Sequence, residues 1–311
     1  VHAQARIQVE GEDAGEPRWE LIEPERIDGE LVPDRGLLVL PEPAEGDLFF
    51  DIEGSRYYSD DGKEFGLQYL FGLVNTADRH SSGTPRYAAF WAFDRSGERQ
   101  AFEDLMDFLS DHLTSYPNAH IYHYNHYEPT SMEHLSELHT TREDVLRRLM
   151  GRFATREDEV DSLLRRRLFV DLYRVVRQGI RASVESYSIK RLEPFCRFVR
   201  DVPLEDVNER MVLFDASLDE GTAQDDHDTR ELIAGYNEDD CRATLALRDW
   251  LEERRRDLAQ HLDEDLPRPT SIEPLTDTVA PEITALRAEL LNGVPEDLER
   301  RTPEESARAL L

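Results

Sequence analysis

Residues 47–54 read DLFFDIEG: an apolar run, two acids one residue apart, and a glycine. This pattern predicts a buried β-strand in which Asp51 and Glu53 point to the same face of a sheet, because side chains alternate along a strand. Two carboxylates at the end of an apolar strand are costly to bury unless a cation neutralises them, and oxygen ligands of this kind suit Mg²⁺ or Mn²⁺. The alternative is that both acids mark the solvent-exposed end of the strand.

The sequence that follows this strand predicts an α/β fold. Apolar runs over 67–74 and 87–93, with short turn-rich connections, predict two more strands of an antiparallel meander. Further strands are predicted over 119–124 and 168–172. Apolar residues at helical spacing predict helices over 98–113, 129–138, 141–150, 157–166, 173–180, from Ser186 or Tyr187 onward, and over 229–261. This order combines an antiparallel half with a crossover half, so we expect a five-stranded mixed sheet flanked by helices.

We expect one central domain between two flanking segments. Residues 1–46 mix short apolar runs with Glu, Gly, Asp and Pro, and residues 6–10 alternate like a strand, so this part is predicted to be a strand and a linker. The central domain covers 47–262, within which the acidic stretch 201–228 is predicted to be a loop. Residues 263–311 are predicted to be an acidic linker or the start of a further domain. The first residue is Val, so the chain is expected to be a processed product or part of a longer protein.

The composition is strongly acidic, with 37 Lys and Arg against 67 Asp and Glu, a formal net charge of −30. The lysines are Lys63 and Lys190. Such a chain should bind polyanions poorly, which counts against a passive nucleic-acid-binding module but less against an enzyme whose metal ions carry positive charge. Cys196 and Cys241 have neither zinc-site spacing nor a disulfide framework. With no apolar run long enough to cross a bilayer and no signal peptide, we expect no membrane partner and a cytoplasmic location.

Further acids lie where they could join Asp51 and Glu53. Glu128 follows the fourth predicted strand and starts a helix, where an acid is also favoured simply as a cap. Asp171 lies at the end of the fifth strand. Tyr236 and Asp240 are four residues apart, so they share one face of the last helix, and that face is core-directed. An acid on such a face needs a partner, whereas Asp239, about a third of a turn away, is expected to be solvated.

These motifs together resemble a known family. A D-x-E on the first strand, an acid after the fourth strand and Y-x-x-x-D on a late helix resemble the DEDD exonucleases, in their tyrosine subclass. Five blocks, 47–54, 121–128, 169–177, 183–193 and 236–251, more specifically resemble the RecB-like nucleases that contain a predicted ribonuclease-H-like domain. The resemblance covers about residues 6 to 261 and implies a ribonuclease-H-like sheet. It also implies fusion to, or action with, RecB-type nuclease and helicase domains.

The resemblance implies specific roles for residues of this chain. The catalytic residues would be Asp51, Glu53, Glu128, Tyr236 and Asp240. Two Mg²⁺ or Mn²⁺ ions would be held by Asp51, Glu53, Glu128, Asp171 and Asp240. The substrate would contact Lys190, Tyr124 and Asn125. Glu128 stands where the exonucleases usually have Asp, and the alternative for Lys190 is a plain helix-surface lysine. Aromatic side chains at Tyr57, Tyr58, Tyr124 and Tyr127 would either stack on bases or simply pack.

The implied activity is metal-dependent hydrolysis of phosphodiester bonds, with 3′→5′ exonuclease polarity taken by analogy and single-stranded DNA favoured over RNA as substrate. Two other interpretations stay open. The domain could be a catalytically degenerate ribonuclease-H-like scaffold that positions nucleic acid or a helicase. It could also be an interaction module whose acidic surface binds a basic partner. A specific Mn²⁺ site is expected for the enzyme and not for the interaction module.

Overall fold

The computed structural model describes residues 2–56, 58, 66–139 and 156–269. The predicted helix over 141–150, Tyr57, Lys63 and most of the predicted acidic tail lie outside these residues. The chain divides into two compact units, Val1–Ser131 with Leu168–Thr270, and Met132–Arg167 with Ser271–Leu311. All of the site residues discussed below belong to the first unit.

The N-terminal segment begins with a helix, so the strand predicted over residues 6–10 is wrong. Helix α1 spans His2–Ala14, and its buried residues, Ile7 and Gly11, are four apart on one helical face. An alternation of apolar and polar residues over five positions is too short to outweigh the burial of one face of a 13-residue helix. After α1 come three short strands, β1 (Trp19–Leu21), β2 (Arg26–Ile27) and β3 (Glu30–Leu31), where β2 and β3 form a hairpin.

Five strands of the described residues form one mixed sheet. The stretch quoted at the outset is its central strand, β4 (Leu48–Ser55), followed by β5 (Leu67–Arg79) and β6 (Pro85–Trp91). These three strands pair antiparallel, as predicted. On the other side of β4, the strands β7 (Ile121–His123) and β8 (Phe169–Asp171) pair parallel, which gives the order β6-β5-β4-β7-β8. The predicted five-stranded mixed sheet is therefore confirmed.

Helices alternate with these strands along the chain. The described helices are α2 (Arg95–Ser115), α3 (Tyr127–Leu138), α4 (Arg156–Arg165), α5 (Leu172–Gly179), α6 (Ile189–Cys196), α7 (Leu204–Asp219) and α8 (His227–Leu262). Between α5 and α6, strand β9 (Ile180–Ala182) pairs antiparallel with β1. Asp94 caps α2 by accepting from the Gly97 N–H, and Asp226 caps α8 in the same way through Thr229. Within the described residues, no helix has the length and apolar character that crossing a bilayer requires.

Helix α7 corrects the prediction of a loop over 201–228. Its buried residues, Val207, Phe214 and Leu218, follow each other at seven and four positions, which places them on one face. Phe214 and Leu218 pack in a cluster that also contains Tyr69 and Leu70 of β5. Exposed acids such as Glu205, Glu209 and Asp219 obscured the apolar stripe in the sequence.

Candidate metal centre

The end of β4 and the middle of α8 meet at a cluster of three acids. Asp51 and Glu53 lie on one face of β4, and Asp240 of α8 lies opposite them. Each side chain offers one oxygen, and these three oxygens all lie within 4.8 Å of one another. Among the described residues, this is the one group of acidic, His or Cys side chains that is compact enough to hold a metal ion.

Asn237 of α8 fixes the two strand acids. Its Nδ2 donates to Asp51 Oδ2 at 2.8 Å and reaches Glu53 Oε1 at 3.5 Å. Its Oδ1 accepts from the Tyr87 hydroxyl of β6 at 2.8 Å, which sets the orientation of the amide. Asn237 is fully buried. A buried amide whose two ends are both hydrogen-bonded holds the neighbouring carboxylates in a defined geometry.

Gly72 of β5 makes room for this amide. It pairs with Asp51 in the β4–β5 register, and a Cβ at this position would lie 1.6 Å from Asn237 Oδ1. We expect Gly72→Ala to displace Asn237, to lower the free energy of unfolding by roughly 1–3 kcal/mol, and to weaken Mn²⁺ binding. Chemical unfolding and isothermal titration measure the two effects. Gly97→Ala is the control, since its Cβ would meet nothing closer than 3.4 Å. Equal effects of the two substitutions would contradict this role of Gly72.

Two cations neutralise Asp240. Arg200 Nη2 lies 2.5 Å from Asp240 Oδ1, and Lys190 Nζ lies 3.4 Å from Oδ2. Arg200 also pairs with Glu193 of α6, so its guanidinium bridges two carboxylates. The Tyr236 ring lies beside both cations, 4.9 Å from Lys190 Nζ and 5.5 Å from the Arg200 guanidinium. Tyr236 and Asp240 therefore share one environment, as their spacing on the helix predicted.

Burial and repulsion between carboxylates raise the pKa values of Asp51 and Glu53. Burial is the largest cause for Glu53, whose pKa rises to about 8, and the charge of Asp240 adds to it. For Asp51 the pKa lies well above its ordinary value, first through burial and then through Glu53, Asp240 and Glu128. Burial, followed by the nearby carboxylates, raises the pKa of Tyr236 as well. Acids perturbed in this way are typical of functional sites, where a cation restores the balance of charge.

The raised pKa of Glu53 predicts a pH dependence. Between its ordinary value of 4.5 and its value of about 8, the folded metal-free protein holds a proton that the unfolded chain has released. The stability of the metal-free protein should therefore fall as pH rises through this window. Because Mn²⁺ displaces that proton, the rise in Tm on adding Mn²⁺ should be larger near pH 8 than near pH 6. Thermal unfolding with and without Mn²⁺ measures this, and a rise in Tm that does not change with pH would contradict it.

Glu128 lies near this cluster but outside the group of three acids. It is buried near the start of α3, and its Oε2 is 3.4 Å from His123 Nδ1 without a hydrogen bond to a described residue. It does contribute to the raised pKa of Asp51.

The structure does not bring Asp171 into the cluster. Its Oδ1 caps α5 by accepting from the N–H groups of Tyr173 and Arg174, and it also accepts from the Asn125 N–H at 2.9 Å. Asn125 adopts a left-handed conformation, with φ of 82°. Asp171 thus holds the loop after β7 against the start of α5.

The tyrosines that could stack on bases differ in their exposure and in their hydrogen bonds. The Tyr124 hydroxyl donates to the Tyr187 carbonyl, and the Tyr127 hydroxyl donates to Gln68 Oε1. The Tyr127 side chain is exposed, whereas Tyr58 packs in the cluster with Phe214. Of these rings, Tyr127 alone combines exposure with a hydrogen bond that fixes its orientation.

Sequence reasoning missed three residues of this region. Arg200 and Asn237 were not singled out, and the prediction that Asp239 is solvated is wrong. Asp239 is buried because its Oδ2 accepts from the Val202 N–H at 2.9 Å, which ties the segment before α7 to α8. Asn237 could have been found from its spacing, three residues before Asp240 on the same helix. Arg200 carries no local signal, since its two partners are 7 and 40 residues away.

The mixed sheet, with acids at the end of its central strand and on a helix packed against it, defines the class of the domain as ribonuclease-H-like. A family model described as RNase_H superfamily matches residues 48–252, more than half of the 311-residue chain. The chain belongs to the RNase_H superfamily. No curated protein and no solved structure gives a significant match to the chain.

Proposed function

We propose that this chain is a metal-dependent nuclease that hydrolyses phosphodiester bonds of nucleic acid. The observation that carries the proposal is the convergence of Asp51, Glu53 and Asp240 within 4.8 Å in a chain of the RNase_H superfamily. A purely structural role would not require three carboxylates to lie together at a cost in burial and repulsion.

The donor set of this site fits a hard divalent cation. Asp51, Glu53 and Asp240 offer carboxylate oxygens, and Mg²⁺ or Mn²⁺ prefers oxygen ligands. A second ion would draw on Glu128, whose buried Oε2 has no hydrogen-bond partner among the described residues. When bound, such ions supply an activated water and stabilise the charge that develops on the leaving oxygen.

The protein's own groups would orient the substrate and the attacking water. The raised pKa of Tyr236 keeps its hydroxyl protonated at neutral pH, so this phenol would donate a hydrogen bond to a water rather than remove its proton. The Lys190 side chain is about one-third exposed, and its Nζ lies 3.4 Å from Asp240 and 4.9 Å from the Tyr236 ring centre. Because the contact with Asp240 is long, the ammonium group could also reach a phosphate oxygen, which supports a role in substrate binding.

The finer assignment rests on the motif pattern. Tyr236 and Asp240 share one environment, which supports the tyrosine subclass of DEDD exonucleases and, with it, 3′→5′ polarity. We propose single-stranded DNA as the preferred substrate, with RNA as the alternative, and action together with RecB-type nuclease and helicase domains. The Tyr127 ring, exposed and held by Gln68, is a candidate platform for an unpaired base.

One observation favours the scaffold interpretation instead. Both oxygens of Asp240 already have cationic partners, Arg200 and Lys190, and a protein that uses these pairs only for stability would need no metal. The two interpretations differ in what Mn²⁺ does. A nuclease binds Mn²⁺ and cleaves, whereas a scaffold does not cleave under any condition.

The experiment that tests the proposal is hydrolysis of a 3′-labelled single-stranded oligonucleotide with Mn²⁺ or Mg²⁺, at low and high salt. We expect metal-dependent release of mononucleotides by the wild type, and no release with EDTA. Absence of cleavage with all metals and salt concentrations, while Mn²⁺ still binds, would favour the scaffold. Absence of both cleavage and Mn²⁺ binding would overturn the proposal.

A further inference from the structure

A cavity of about 300 Å³ lies away from the three acids, against α1, β9 and the loop that precedes α6. Its lining includes Gln4, Gln8, Arg177, Arg181, Glu185 and Tyr187. This volume suits a small group such as one nucleoside unit.

The charges around this cavity leave one cation unbalanced. Arg181 pairs with Glu20, and Glu185 pairs with Arg191 at 3.8 Å. In the described ranges, no carboxylate forms an ion pair with Arg177. A chain with a net charge of −30 has an excess of acids that could pair with its arginines. An exposed arginine without an acidic partner at the edge of a cavity is therefore a place to which an anion is attracted.

The Arg177 guanidinium is held in place by aromatic rings. It lies 5.9 Å from the Tyr173 ring centre and 5.2 Å from the Tyr187 ring centre. The Tyr187 hydroxyl donates to Gln4 Oε1 and accepts from the Ala182 N–H, so that ring is fixed. A guanidinium that lies over rings can still direct N–H groups at phosphate oxygens, and its contacts with the rings reduce the side-chain entropy lost when an anion binds.

Two chain segments connect this cavity to the metal centre. Lys190, which contacts Asp240, follows Tyr187 by three residues, a distance of at most ~11 Å along the chain. The Tyr124 hydroxyl donates to the Tyr187 carbonyl, and the loop that begins at Tyr124 leads into α3, which carries Glu128. The cavity and the metal centre are therefore close enough that one nucleic acid strand could contact both Lys190 and Arg177.

We propose that Arg177 and this cavity form a second substrate subsite that binds a phosphodiester group of a single-stranded nucleic acid together with an adjoining unpaired base. The proposal rests on the proposed nuclease function and adds a contact outside the cleavage site. An unpaired base is required, because bases held in a duplex cannot enter a cavity or lie on the Tyr187 ring.

The test compares a long and a short labelled oligothymidylate, of about 15 nucleotides and a dinucleotide, by fluorescence anisotropy. It is done in the Asp51→Asn background, so that substrate is not consumed. We expect Arg177→Ala to weaken binding of the long oligonucleotide roughly tenfold and to leave the dinucleotide unchanged. The slope of log K against log salt should fall by about 0.7, the value for one phosphate contact on a single strand.

Two further variants sharpen this test. Arg174→Ala is the matched control, since Arg174 lies one turn earlier on α5, is exposed and donates to the Asp34 carbonyl. Arg177→Lys keeps the charge without the planar guanidinium and its paired N–H donors, so an intermediate loss is expected. Long-oligonucleotide binding that Arg177→Ala leaves unchanged, or lowers no more than Arg174→Ala does, would overturn the subsite. Binding is measured separately from cleavage. If affinity depends on Arg177 but the wild-type chain never cleaves, the proposed nuclease function is contradicted and the binding site at Arg177 is not.

Discussion

Asp51→Asn is expected to lower metal-dependent hydrolysis by about a thousandfold or more, equivalent to a loss of ~4 kcal/mol of transition-state stabilisation. Asp51 contacts several parts of the site. It belongs to the group of three acids, accepts a hydrogen bond from Asn237 and pairs with Gly72 in the β4–β5 register. Asparagine keeps the shape and still accepts from Asn237, but it lacks the negative charge that holds a divalent cation. Initial rates at saturating Mn²⁺ measure the effect.

The control for this variant is Asp78→Asn, which removes an exposed acid from the neighbouring strand β5. It should hydrolyse at the wild-type rate. Because Asp51 is a half-buried acid whose pKa is raised by desolvation and by neighbouring acids, Asp51→Asn should fold as stably as the wild type in the absence of metal, or more stably. A near wild-type rate for Asp51→Asn would place catalysis elsewhere in the chain.

Arg248→Met is expected to lower the free energy of unfolding by roughly 3–5 kcal/mol, the largest stability effect that we predict. Arg248 of α8 donates to Asp47 Oδ2 at 2.7 Å, where Asp47 has no exposed surface. The guanidinium also lies over the rings of Phe49 and Tyr122, at 5.0 and 5.1 Å. Losing the cation leaves a buried carboxylate just before the central strand. Its remaining partners are the backbone N–H groups of Ala44 and His120 and the His120 ring, whose Nδ1 lies 3.5 Å away.

Two comparisons make this prediction specific. Replacing both partners, in Asp47→Leu with Arg248→Met, should cost less than the sum of the single changes, since no unpaired charge remains. Arg86→Met removes a cation from the exposed pair with Asp78 and should change stability by about 1 kcal/mol or less. Equal losses for Arg248→Met and Arg86→Met in urea unfolding would show that the buried pair has no special role.

The central strand was predictable because its sequence indicates both its burial and the shared face of its two acids. The apolar run 48–50 requires burial, and the period of two then forces Asp51 and Glu53 onto one face. Asp240 was predictable because Tyr236 and Leu247 place it on the buried face of a long helix. These local periodicities determine which side chains face inward, and the mixed sheet follows from the order of the elements.

What escaped prediction depends on contacts between distant segments. Arg200 reaches Asp240 across 40 residues, and Asp239 is buried by a backbone N–H of the segment before α7. For Asp171 the local sequence is ambiguous. Its position at a strand end suggests a metal ligand, but an acid that precedes a helix also serves as the cap of that helix. Residue type and position alone do not separate these two roles.

The proposed nuclease activity depends most directly on whether the three acids hold a divalent cation. Crystals soaked in Mn²⁺ and measured for anomalous scattering would locate the ion without reference to any activity. We predict an anomalous peak bounded by carboxylate oxygens of Asp51, Glu53 and Asp240, and its loss in Asp51→Asn crystals. A Mn²⁺ peak elsewhere, or no peak near these residues while Lys190 and Arg200 stay paired with Asp240, would contradict the account.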